Sequence, residues 1–217
     1  TSTNYNVISN VSEGLVEYDA NGNLIGALAE KWEKSEDGLT YSFTLRDAKW
    51  ENGEQITAHD FVYSYQTRMR EEKSVYRHYL AYLQNGAQIA KGEKDATELG
   101  VKAVNDKELI ITLAEAKTFF LDMLVFPAFF PLNQKFVESV GVENYGTSLE
   151  TFLANGAYTL TKFAPDDGWK YKKNDQYWDA NNTQIEDIDV RVVPQSQTQK
   201  ILWEQGEIDV LTLGLDD

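Results

Sequence analysis

The chain has 217 residues, 42% of them hydrophobic and 12% aromatic, which is enough apolar side chain to bury a core in one or two domains rather than stay disordered. Its 35 acidic and 20 basic residues give a formal charge of −15, which excludes a phosphate backbone or an anionic membrane surface as partner and otherwise serves solubility. There is no cysteine, so disulfides, thiolate metal sites and cysteine nucleophiles are excluded, a usage that fits a secreted protein; no run of about 18 apolar residues offers a membrane span.

Val7, Ile8, Val11 and Leu15 are spaced as one face of a helix over residues 4–12. Asn21-Gly22 then turns the chain between Leu15-Val16-Glu17-Tyr18 and Leu24-Ile25. Residues 32–65 are the most legible stretch. Glu36-Asp37-Gly38 sits before the alternating Thr40-Tyr41-Ser42-Phe43-Thr44-Leu45, which predicts a hairpin with one buried face. Asn52-Gly53 turns the chain after Trp50. Thr57-Ala58-His59-Asp60 opens a helix with Asp60 at the capping-box position, and Phe61, Val62 and Tyr65 give that helix an apolar face.

Tyr76, Tyr79 and Tyr82 stand at i, i+3 and i+6, as on one helical face, before Asn85-Gly86 breaks the pattern. A short helix over 87–91 and a hairpin of Val101-Lys102-Ala103 with residues 108–113 follow. An apolar helix over 119–125 is ended by Pro127. Phe126-Pro127-Ala128-Phe129-Phe130-Pro131 reads as an irregular linker, and a helix over 134–140 comes next. Gly156-Ala157-Tyr158-Thr159-Leu160 and Trp169-Lys170-Tyr171-Lys172 read as strands around Asp166-Asp167-Gly168, and Tyr177-Trp178 lies in an Asn- and Asp-rich loop. Residues 188–193 form a strand and 197–205 a helix closed at Gly206. A strand over 207–213 would complete a right-handed crossover with parallel pairing. The middle is therefore expected to be α+β and the end α/β. Both ends read as cut, so the chain is expected to be a piece of a longer protein.

Catalytic patterns are scarce. His59 and His78, the only histidines, have no partner at metal-ligand spacing, and no nucleophile elbow, phosphate loop or dinucleotide fingerprint occurs. The expectation is no enzyme, no metal and no cofactor. The tyrosine stripe serves either packing or a ligand, for which it offers flat rings with hydroxyls. Phe126, Phe129 and Phe130 read as hinge packing held by two prolines. The aromatic Tyr177-Trp178 loop leaves open a secreted glycan-binding protein or glycoside hydrolase.

The hairpin, turn and capped helix with Trp50 beside the turn resemble the signature region of family 5 extracellular solute-binding proteins, the peptide and nickel receptors of ABC importers. Ser12-Glu13-Gly14-Leu15 with Ala27-Leu28-Ala29-Glu30-Lys31-Trp32 resembles the family's opening stretch, with Gly26 where proline is usual. Gly100-Val101-Lys102-Ala103, Asn155-Gly156-Ala157-Tyr158-Thr159-Leu160, Tyr177-Trp178 and Gly206-Glu207-Ile208-Asp209 follow in family order. The resemblance implies an α/β fold with an α+β insertion, a partial periplasmic-binding-protein type II architecture. Residues 1–12 and 133–217 would form the first lobe and 13–132 an inserted domain, with the second lobe missing. It implies a monomeric receptor that passes oligopeptides to a membrane permease, extracellular as a lipoprotein or periplasmic; dipeptide, nickel chelate or haem are the alternatives within the family. The ligand contact from the inserted domain would be Tyr76, with Tyr79 as substitute. Ser2, Thr3 and Asn4 would form a loop at the cleft, and Phe126, Pro127 and Pro131 the hinge. The residues that take the two ends of the peptide would lie before Thr1 and in the missing lobe.

Overall fold

A computed structural model describes residues 2–211, with side chains from Val7 onward. Helix α1 (Ser2–Val11) comes first and buries Val7 and Val11. Residues 2–4 are thus already helical, where a loop was expected; their side chains lie outside the described residues. Strands β1 (Val16–Tyr18) and β2 (Leu24–Gly26) form a small ribbon. Its turn is fixed by Asp19, whose carboxylate accepts the N–H groups of Asn21 and Asn23 at 2.8 Å each, and by Gly22 at φ +80°.

Strands β3 (Ala29–Lys34) and β4 (Thr40–Leu45) form the expected hairpin. In β4 the alternation does what period two requires: Tyr41, Phe43 and Leu45 are buried while Ser42 is exposed. Helix α2 (Ala58–Arg70) follows, started by the Asp60 carboxylate, which accepts the Thr57 N–H at 2.8 Å. Burial pushes the Asp60 carboxyl up to about 6, against the hydrogen bonds from Thr57. Short helices α3 (Arg77–Leu80) and α4 (Gly86–Ala90) lead to strands β5 (Val101–Ala103) and β6 (Glu108–Thr112). The sheet order is β3-β4-β6-β5, all antiparallel, with α2 packed against β5 and β6.

The tyrosine stripe does not form one helical face. Helix α3 is a single turn, and a bridge between Leu83 and Leu113 draws the chain into extended pairing before Asn85 turns it at φ +64°. Tyr82 is left in the turn, edge-on to Phe119 at 6.0 Å. After α5 (Phe120–Met123), the proline-rich stretch is likewise not irregular: Pro127–Phe129 is a 3-10 turn. Proline fits its first position because no N–H is needed there. Helix α2 ties this turn down. The hydroxyls of Ser64 and Tyr65 donate to the carbonyls of Phe130 (2.6 Å) and Phe129 (3.0 Å). Arg68 Nη1 donates to those of Ala128 (2.9 Å) and Phe130 (2.7 Å). Trp50, Phe61, Tyr65, Phe120 and Phe129 are fully buried in the larger core that results.

Helix α6 (Gln134–Val140) is followed by an antiparallel sheet of β7 (Tyr158–Ala164), β8 (Gly168–Lys173) and β9 (Asp187–Arg191), and then by α7 (Ser196–Glu204). A smaller core gathers Val7, Val11, Ala154 and Tyr171, with Tyr158, Leu160, Trp169 and Ile188 packed against it. The expected crossover is not made. Residues 207–211 form no strand, Val210 is 80% exposed, and every ladder among the described residues is antiparallel; the rest of that expected strand lies outside them. Alternating side chains do not hold a strand without a partner edge, and none pairs with these residues.

Candidate ligand-binding cleft

The two cores meet where α1 ends. Val11 presents its carbonyl, and the N–H groups of Asn155 and Gly156 both donate to it at 3.0 Å. Such an approach admits no side chain, because a Cβ on Gly156 would lie 2.8 Å from the backbone nitrogen of Ser12. Asn155 then clasps the next residue from both sides. Its Nδ2 donates to the Glu13 carbonyl (3.0 Å) and its Oδ1 accepts the Glu13 N–H (3.1 Å).

The Glu13 carboxyl is buried and is reached by the Tyr177 hydroxyl at 2.9 Å and the Trp178 Nε1 at 2.6 Å. Burial pushes it up to about 8, with the Glu17 charge adding to the rise and the hydrogen bonds and the Arg46 charge opposing it. The Arg46 guanidinium lies 3.6 Å from the centre of the Trp178 ring. Residues from both ends of the chain thus lock the junction, and burial favours the protonated form of the acidic group at its centre.

Two hollows flank this junction and share the walls Ser12 and Phe130. One, of about 600 Å³, runs between the α1 end, the β1–β2 ribbon and α5, and is edged by Glu13, Glu17, Tyr18, Asp122 and Phe126. Tyr18 donates to Asp122 across it at 2.6 Å. The other, of about 530 Å³, lies between α1, the end of α2 and the 3-10 turn. Tyr76, Arg68 and Tyr145 face into it. Concave, mainly apolar surface with a few polar groups suits a ligand rather than a chemical step. Among the described residues no group of three or more His, Cys, Asp or Glu side chains converges as a metal site.

The expected site residues separate. Tyr76 is half-buried at the start of α3, packs on the larger core with one side and lines the second hollow with the other. Tyr79 lines neither hollow; it stacks on Phe126 at 5.7 Å and 16°, with His78 at 3.9 Å on its ring. Phe126 is a wall of the first hollow, and Pro127 and Pro131 are walls of the second. His59 is exposed beside Asp106 at 3.4 Å. Sequence reasoning passed over Glu13 and Arg68. Glu13 and Tyr177-Trp178 stand in separate motifs 164 residues apart, and Arg68 is one of two basic residues in the last turn of α2; nothing local marks either.

The family model described as "Bacterial extracellular solute-binding proteins, family 5 Middle" matches residues 23–217. A dipeptide-binding protein of Lactococcus lactis is 35% identical over 98% of this chain and 40% of its own length. Listeria monocytogenes OppA bound to peptide superposes with a TM-score of 0.92 at 35% identity, covering 96% of this chain and 42% of that one. The substrate-binding domain of an oligopeptide ABC transporter from Bacillus anthracis gives a TM-score of 0.90 at 40% identity over 96% and 40%. The chain spans about 40% of the length of these relatives. Its fold is that of part of a type II periplasmic binding protein.

Proposed function

Since this chain belongs to the family 5 bacterial extracellular solute-binding proteins, we propose that the protein captures oligopeptides outside the cytoplasm and hands them to the permease of an ABC importer. The observation that carries this reading is the pair of adjoining hollows with Tyr76 at the rim of one, on a chain that superposes on a peptide-bound receptor over 96% of its residues. The receptor works by binding rather than catalysis. An extended peptide pairs through its main chain, which gives affinity without strict sequence demand, while the hollows accept side chains.

In this reading residues 1–12 and 133–217 belong to one lobe and 13–132 to an inserted domain. A second lobe closes over the ligand, and the receptor is monomeric, anchored as a lipoprotein or free in the periplasm. Ser2, Thr3, Asn4 and Tyr76 border the ligand, and Tyr79 backs the wall through Phe126. The test is calorimetry of the full-length protein with di- to pentapeptides, a nickel chelate, haem and oligosaccharides. Peptides alone should bind, and Tyr76→Ala should weaken them by about 1–2 kcal/mol while the melting temperature stays put. A large fall in melting temperature at unchanged affinity would make Tyr76 a core residue only. Binding of glycans in place of peptides would overturn the proposal.

A further inference from the structure

Arg68 is a half-buried cation without an acid. It sits in the last turn of α2, and no carboxylate among the described residues pairs with it. The charged and ionisable groups that act on it are three tyrosines, Tyr76, Tyr145 and Tyr65. Desolvation lowers its pKa, as expected of a guanidinium held against apolar walls, although Arg stays charged under any ordinary condition.

The hydrogen bonds of Arg68 are one-sided. Nη1 alone donates to the Ser64 hydroxyl and to the carbonyls of Ala128 and Phe130. Nε and Nη2 donate to nothing among the described residues and are not fully buried, and Arg68 lines the second hollow. A structural task, holding the 3-10 turn, thus uses one nitrogen. The other two keep the parallel N–H pair that matches a carboxylate fork. The Tyr76 ring lies 5.4 Å from the guanidinium carbon and forms the adjacent wall. Glu71 and Lys73 line the same hollow, exposed and of opposite sign, so their charges offset and the half-buried Arg68 supplies its net charge.

We propose that Arg68 is a carboxylate-binding residue of the ligand cleft, taking an acidic side chain or the terminal carboxylate of a peptide laid against Tyr76. This rests on the peptide-receptor reading above and deepens it. Each class of carboxylate would give a charge-assisted, two-pronged bond in a partly dry pocket, where such a bond is stronger than at an open surface. A site of this kind also gives a chain of net charge −15 a way to accept acidic ligands that its own field repels.

The experiment is calorimetry of the full-length protein with matched peptides that differ only by Glu against Gln, and by a free against an amidated C-terminus. The parent should prefer one charged member of these pairs by about tenfold; which pair shows it separates the side chain from the terminus. Arg68→Met should remove the preference, and Arg68→Lys should keep part of it. Comparing the pairs within one variant cancels any loss of stability from freeing the 3-10 turn. If parent or Arg68→Met treats the members of each pair as in the other, the carboxylate site is wrong while peptide capture stands. If no peptide binds at all, the peptide reading itself falls, and this site with it.

Discussion

Glu13 is the carboxyl group whose chemistry departs far from its type at the junction. Its carboxyl ionises near 4.5 in an open chain and is pushed up to about 8 in the fold. Between those values the folded state holds a proton that the unfolded state has lost, so stability falls as pH rises through the window. One carboxyl oxygen accepts the Trp178 N–H and the other accepts the Tyr177 O–H, and burial outweighs the help both donors give the charged form. Glu13→Gln keeps the length and shape of the side chain and cannot ionise. Urea denaturation from pH 5 to 8 should therefore give the parent a steeper loss of stability than Glu13→Gln, the difference approaching about 1.4 kcal/mol per pH unit at most. Parallel curves would mean that Glu13 is ionised in the fold. Sequence could propose Tyr76 because the family resemblance points to it and an aromatic stripe is visible locally. Glu13 and Arg68 gain their meaning from burial and from partners 60 or more residues away, which no local pattern encodes.

Elements written by local chemistry were legible. The turn at Gly38, the Asp60 cap of α2 and the hairpin of β5 and β6 each need only a few neighbouring residues. Elements that depend on a distant partner were not. The stripe of Tyr76, Tyr79 and Tyr82 promised a longer helix, but pairing of Leu83 with Leu113 outweighed helical spacing. Among the described residues the expected crossover strand has no pairing neighbour, so the alternation at 207–211 had nothing to act on. At this scale the seam between α1 and β7 is the sharpest test. Gly156→Ala drives a Cβ into backbone at 2.8 Å, where no side chain can swing aside. It should destabilise by about 1–3 kcal/mol and lower the melting temperature by several degrees. An unchanged melting curve would show that α1 and β7 separate at little cost.

At the scale of the molecule, two cores lie on either side of a shared wall, and the hollows beside Ser12 and Phe130 are open. Engulfment supplies much of the affinity in a receptor that closes on its ligand. On the proposed reading, the 217-residue chain alone should bind tetrapeptides more weakly than micromolar by calorimetry and the full-length protein more tightly; micromolar or tighter binding by the chain alone would place the whole site on it. The clasp at Glu13 has a kinetic consequence as well. Its hydrogen bonds join residues 142 to 165 positions apart. Such long loops close late, after the larger core has collapsed around its more local pairs and together with the smaller core, which joins Val7 and Val11 to Ala154 and Tyr171 across the same span. The junction therefore belongs to the descent from the folding barrier rather than to its summit. Breaking it should leave refolding rates nearly unchanged and hasten unfolding, so that Glu13, Asn155 and Trp178 set how long the native molecule lasts rather than how quickly it forms.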